Sequence, residues 1–192
     1  MASRLRLFVS AAPDLEAERE VIGQAVAELP VSLGWAIKRT PKRGEPLTPA
    51  LEAVEACDFY VLLFATDIRA PVGLEFYAAR RAGKAQLAFL KDATRTPAAR
   101  IFIRAAKVDW ITFRSDEELK ALIQKALAQL MLERAQAFAL NLNDLEMLSA
   151  FLEGLGREEE ARLPEEARGA REGGVIIAPG RDVPPGGVLV EG

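Results

Sequence analysis

The chain has 192 residues, half of them apolar, and a formal charge of −3. That is enough for one compact domain with an appendage, and the charge gives no basic field to attract nucleic acid. With no histidine and Cys57 as the single cysteine, Ser-His-Asp and Cys-His catalysis, histidine-ligated metals, Cys-rich zinc sites and internal disulfides are all excluded within this chain. The chemistry left to it uses carboxylates, arginines, lysines, hydroxyls, tyrosines and backbone amides.

In chain order, RLRLFVSA (4–11) alternates and then turns apolar, which predicts a first strand. MASRLRLFVS enters that strand directly and shows no signal-peptide anatomy, and the longest apolar stretch, 59–65, is too short to span a bilayer. A cytoplasmic protein without membrane contact is expected. Asp14 is the expected N-cap of the next helix, with Glu16 and Glu18 in its first turn, Leu15, Ile22, Val26 and Leu29 on its apolar side, and Pro30 as its stop. GWAIKRT (34–40) predicts a second strand and PKRGEP (41–46) a loop. Thr48 followed by Pro49 predicts an N-cap and first helical position, for a helix reaching about Ala56.

FYVLLFA (59–65) predicts a third strand, apolar on both faces as in a covered parallel sheet. Cys57, just before it, reads as a small core residue. A helix is expected over 73–82, ended by Gly83, and a fourth strand over 85–90. TPAARIFIRAA (96–106) leaves helix and strand open. VDWITF (108–113) predicts a fifth strand. Ser115 with Glu118 forms a capping-box pattern for a helix to about Leu140, and Asn143 with Glu146 repeats it for a helix fading at Gly154 and Gly156.

This alternation predicts an α/β domain: a flavodoxin-like, doubly wound, five-stranded parallel sheet, with a C-terminal helical extension and a short β-like tail. The expected divisions are 1–133 for the α/β domain, 134–172 for the helical extension and charged linker, and 173–192 for the Gly/Pro-rich tail. The abundance of Arg, Glu, Ala, Leu and Pro, with asparagine only at 141 and 143, fits a thermophile.

In such a fold the ligand crevice lies at the carboxyl edge of the sheet. Three loops converge there: 10–14, 39–45 and 66–73. Glu75 is expected near the N-terminus of the helix after the third. A carboxylate there either complements the helix dipole or stabilises a positive, oxocarbenium-like carbon at the anomeric position of a sugar. Asp14 and Arg19 either meet a ligand's ribose and phosphate or belong to a charged surface helix. Lys42, Arg43 and Gly44 either meet a phosphate or form a mobile basic loop. Arg80, Arg81 and Lys84 read as a solvated helix face, and Phe76 and Tyr77 as packing residues. Neither a G-x-G-x-x-G fingerprint nor a P-loop lysine motif is present.

LFVSAAPDLEAERE resembles the opening of TIR-like domains (Toll/interleukin-1 receptor-like), of the bacterial subgroup that lies N-terminal to signalling ATPases, through Phe8, Val9, Ser10, Asp14, Leu15, Glu18 and Arg19. Ala11 stands where that subgroup has a second serine, and the loop is one residue shorter. CDFYVLLFATDIRAPVGLEFYAARRAGKAQLAFL resembles the family's central block through Asp58, Glu75, Ala79, Gly83 and Lys84, and VDWITFRSDEELKALI resembles its closing strand and helix. The similarity covers about residues 4–132. The central block is also similar to nucleoside 2-deoxyribosyltransferases. This chain has Ala70-Pro71-Val72-Gly73 where those enzymes carry Asp-x-Gly-Thr, and it lacks the Trp-Cys pair of many TIR domains.

The resemblance implies a signalling or antiviral-defence domain that binds NAD or a related nucleotide and hydrolyses its N-glycosidic bond. Glu75 is then the catalytic carboxylate, Ser10, Ala11 and Asp14 line the nucleotide site, and Arg39 and Arg43 contact phosphates. No cofactor is required, NAD is a substrate, and neighbouring subunits complete the site. The same resemblance also admits a non-catalytic interaction module that self-associates or engages a separate signalling protein, and, more distantly, a nucleoside deoxyribosyltransferase.

Overall fold

The computed structural model describes residues 4–162. Its strands are β1 (Arg4–Ala11), β2 (Gly34–Arg39), β3 (Phe59–Phe64), β4 (Gln86–Lys91) and β5 (Trp110–Phe113). They form one sheet in the order β2-β1-β3-β4-β5, and every pairing is parallel. The helices are α1 (Glu16–Ala27), α2 (Thr48–Ala56), α3 (Ala70–Arg81), α4 (Pro97–Ala106), α5 (Asp116–Glu133) and α6 (Leu142–Arg162). The expected flavodoxin-like α/β architecture is the observed one.

Alternate residues of the strands feed two cores. Leu7, Val9, Val61 and Leu63 pack with α1, α5 and Leu148 of α6 on one face. Phe8, Tyr60, Leu62 and Phe64 pack with α2, α3 and α4 on the other. All six residues of β3 are buried, as its unbroken apolar run requires. The order reverses between β1 and β3, so their carboxyl ends open the crevice characteristic of this topology. Ser10 follows Phe8 by two residues and therefore faces the α2–α3 side.

Local boundaries differ from the sequence expectations for identifiable reasons. Asp14 does not cap α1. Pro13–Leu15 forms a 3-10 turn, α1 starts at Glu16, and the Asp14 carboxylate accepts a hydrogen bond from Thr66 Oγ1 at 2.8 Å. Thr48 makes no capping bond either; the backbone of Leu47 precedes α2. Helix α3 begins at Ala70 rather than Gly73, because Pro71 lies in the first turn, where its missing N–H costs nothing. Glu75 is thus in the second turn, beyond the strongest part of the helix dipole. Gly83, at φ 64°, takes the left-handed conformation that ends α3. The ambiguous segment 96–106 is α4: Thr96 caps it by accepting from Ala99 N at 3.1 Å, and Ala99, Phe102 and Ala106 are buried at helical spacing.

Helix α5 stops at Glu133, short of Leu140. The next capping box is Asn141–Asp144, two residues before the expected one: Asp144 N donates to Asn141 Oδ1 at 2.9 Å. Helix α6 then continues through Gly154 and Gly156. No described helix is long and apolar enough to cross a membrane. The last part of the charged linker and the β-like runs at 173–192 lie outside the described residues.

Candidate functional site

Glu75 is fully buried against the carboxyl ends of β1 and β2. Its Oε2 accepts two hydroxyl hydrogen bonds, one from Ser10 Oγ and one from Thr40 Oγ1 at 2.7 Å. Thr40 Oγ1 in turn accepts from Ala11 N at 3.1 Å, and Thr40 N donates to Val9 O at 3.2 Å. The parallel register, with Arg4 opposite Gly34 and Val9 opposite Arg39, brings Thr40 beside Ser10. Two hydroxyls from neighbouring strand ends therefore meet on one carboxylate oxygen.

The other oxygen is different. Glu75 Oε1 is buried and has no hydrogen-bond partner, as has Tyr60 Oη on the same face of the sheet. A buried carboxylate oxygen without a donor is costly unless something compensates it. Burial pushes the Glu75 carboxyl up from an ordinary 4.5 to about 6, against the Ser10 and Thr40 hydroxyls and the positive charge of Arg19, all of which favour ionisation. Burial likewise pushes the Tyr60 phenol up, with the nearby Ser10 hydroxyl opposing the shift. No basic side chain forms an ion pair with Glu75 among the described residues.

Directly beyond this cluster, at the sheet's carboxyl edge, is a cavity of about 680 Å³, a size suited to a small-molecule ligand. Ala11, Pro13, Glu16 and Arg19 form one wall, Thr40 to Glu45 and Leu47 a second, and Arg69, Pro71 and Val72 a third. Glu75 does not line it. Thr40, which both bonds Glu75 and lines the cavity, stands between the two. The Arg19 side chain is only 9% exposed. Its NH1 meets Glu16 at 2.5 Å, its NH2 donates to Ala11 O at 2.8 Å, and its Nε has no partner. Glu16 also takes Arg39 NH1 at 3.0 Å.

The six residues that the resemblance assigns to the site fall in three places. Ser10 joins Glu75 below the cavity, and Ala11 and Arg43 line it. Asp14 is tied to Thr66, and Arg39 to Glu16, and neither lines this cavity. The sequence alone does not single out Thr40 or Tyr60. The signal for Thr40 was the parallel pairing of β1 and β2, which sets a hydroxyl at the end of β2 beside Ser10. Nothing in the local sequence distinguishes Tyr60 from its apolar neighbours. Phe76 is buried as expected, whereas Tyr77 is 56% exposed and packs only edge-on against Phe76. Cys57 is buried, its Sγ directed at Val54 O, and burial pushes its thiol up to about 11, so it is inert core. No described group of His, Cys, Asp and Glu is placed to hold a metal ion.

No protein-family model matches the sequence, and no curated protein matches it. Among solved structures, the chain is similar to the CMP N-glycosidase BcmB of Clostridium botulinum, at 20% identity and a TM-score of 0.43, over 63% of this chain and 97% of that one. It is also similar to the flavodiiron core of Flv1 from Synechocystis, at 11% identity and a TM-score of 0.42, over 82% of this chain and 37% of that one.

Proposed function

We propose that the chain binds a nucleotide, NAD or a related one, in the cavity at the carboxyl edge of the sheet, and hydrolyses its N-glycosidic bond with Glu75 as the catalytic carboxylate. One observation carries this reading: a buried carboxylate with one oxygen held by two hydroxyls and the other left without a partner, directly behind the wall of a ligand-sized cavity. Neither a simple ion pair nor dipole complementation accounts for it.

The chemistry asked of Glu75 is modest. As the C1′–N bond breaks, the electron pair leaves with the base. With NAD, that pair neutralises the pyridinium nitrogen, and nicotinamide departs uncharged; the base of a nucleoside monophosphate leaves as an anion and takes its proton from water. The ionised carboxylate stabilises the positive C1′ left behind. Water then adds to C1′, and its proton passes to the carboxylate and on to solvent. A group with a pKa near 6 is ionised at pH 7 yet basic enough to take that proton. Reaching C1′ requires Thr40 and the 41–47 segment to swing aside, since Thr40 seals Glu75 from the cavity. A TIR-like role in signalling or defence, with a neighbouring copy completing the site, belongs to the same proposal and draws on the sequence motifs.

The full burial of Glu75 favours a second reading: an interaction module that binds the nucleotide without turning it over, with Glu75 as a structural link between strand ends. Release of nicotinamide from NAD, and of base from nucleoside monophosphates, by concentrated protein separates the two. Release that disappears in Glu75→Gln supports hydrolysis. No release at any protein concentration, with the nucleotide still bound, leaves the interaction module. Equal release by both proteins removes Glu75 from the chemistry.

A further inference from the structure

Charge around the cavity is unevenly used. Four cations line it, Arg19, Lys42, Arg43 and Arg69, against two carboxylates, Glu16 and Glu45. Glu16 is already shared by Arg19 and Arg39. Glu45 Oε2 accepts from the backbone N–H of Lys42 at 2.7 Å. The side chains of Lys42, Arg43 and Arg69 have no hydrogen-bond or ion-pair partner among the described residues. They come from two loops that line the same cavity, and Arg69 directly precedes α3, whose first turn adds its own positive potential. A chain with net charge −3 thus keeps an excess of two positive charges around this cavity. Pro13, Pro41, Leu47 and Pro71 supply apolar surface beside it.

We propose that Lys42, Arg43 and Arg69 form a phosphate subsite, so that the cavity takes a nucleoside phosphate in preference to a free nucleoside. The inference deepens the proposed function and rests on its reading of the cavity as a nucleotide site, but not on the chemistry of Glu75. It also moves the expected phosphate contact from Arg39, which Glu16 already neutralises, to Arg69. A phosphate monoester or a diphosphate bridge carries about two negative charges near neutral pH, which matches the excess. Guanidinium groups from two separate loops suit its several oxygens.

Calorimetric titration of the full chain with adenosine, AMP, NAD and inorganic pyrophosphate tests this. AMP and NAD are expected to bind on the order of tenfold or more tighter than adenosine, the effect of one or two charge-assisted contacts. Raising salt should erode the preference. The double variant Arg43→Ala, Arg69→Ala should lose it while its melting temperature stays put, since both side chains are exposed. Arg100→Ala, which removes a positive charge from α4 away from the cavity lining, should leave it intact. Equal affinity for adenosine and AMP, no binding of any of these probes, or the same loss in Arg100→Ala as in the double variant would each overturn the subsite. Preferential AMP binding without base release from any substrate would overturn the hydrolase reading and leave the subsite standing. Base release from nucleoside and nucleotide at equal efficiency would do the reverse.

Discussion

The Thr40 hydroxyl donates to Glu75 Oε2 at 2.7 Å while accepting from Ala11 N at 3.1 Å, so one side chain at the end of β2 both holds the candidate carboxylate and closes the cavity wall over it. Thr40→Val keeps the shape and removes both bonds. Loss of a donor that favours the ionised carboxylate raises its pKa further, so the acid limb of kcat/KM for base release, which reports the free protein, should move to higher pH. The orphaned Ala11 N–H should cost about 1–3 kcal/mol of stability. Thr40→Ser should restore both. A pH–rate profile and a denaturant titration on the three proteins read these outcomes. An unmoved acid limb in the valine variant would separate Thr40 from the ionisation that matters.

Glu75→Gln is the direct test of the carboxylate. It keeps the size and the acceptor for Ser10 and Thr40 but removes the charge. Base release should fall by about 10²-fold or more, the usual scale for a group of this kind. In the native chain the rate should rise with pH through about 6, because the ionised form is the active one and burial places its pKa there. An acid limb near 4.5 instead would mean that Glu75 titrates as an ordinary exposed carboxyl in the active state.

The same group makes stability depend on pH in an unusual direction. Its folded pKa of about 6 lies above its ordinary 4.5, so between these values the folded chain holds a proton that the unfolded chain has released. Its contribution is full below pH 4.5, falls as pH rises, and levels off above 6. That difference corresponds to about 2 kcal/mol. Unfolding free energies of the native chain and Glu75→Gln, measured from pH 4.5 to 7.5, isolate this, since other groups are common to both. The native chain's stability relative to the variant should decline by about that amount. A pH-independent gap between them would mean that Glu75 is not desolvated as described.

How much of the fold and the site is legible in the sequence follows from which interactions are local. The strand runs and their alternation with helices are local patterns, and they suffice for the sheet and for placing Glu75 at its carboxyl edge. The helix ends at Asp14 and Thr48 mislead because their side chains have every local reason to cap, and in the fold Asp14 finds Thr66 on another loop instead. The site divides the same way. Ser10 and Glu75 stand out in their own segments. The bonds from Thr40 depend on strand pairing, and the neutralisation of Arg39 on where Glu16 lands. Such choices between partners distant in the chain leave no periodicity to read.

Asp144 carries the remaining prediction. It lies in the first turn of α6, is buried, and accepts from Ser32 N at 2.9 Å, from Ser32 Oγ at 2.9 and 3.1 Å, and from Asn141 N at 3.3 Å. It thus pins the start of α6 to the segment before β2, beside Leu148 in the core. The Ser32 backbone bond leads the interactions that hold its carboxyl below the ordinary 3.8, so its contribution is present above that value and lost as pH falls. Asp144→Ala strands the buried donors of Ser32 and should cost about 1–3 kcal/mol at pH 7, with a smaller difference from the native chain in strong acid. Because α6 is remote in sequence from the cavity and supplies none of its lining, nucleotide affinity at low temperature should not change. Hydrogen exchange across α6 together with nucleotide titration reads both. Unchanged protection of α6 in the alanine variant would mean that its apolar face alone holds it in place.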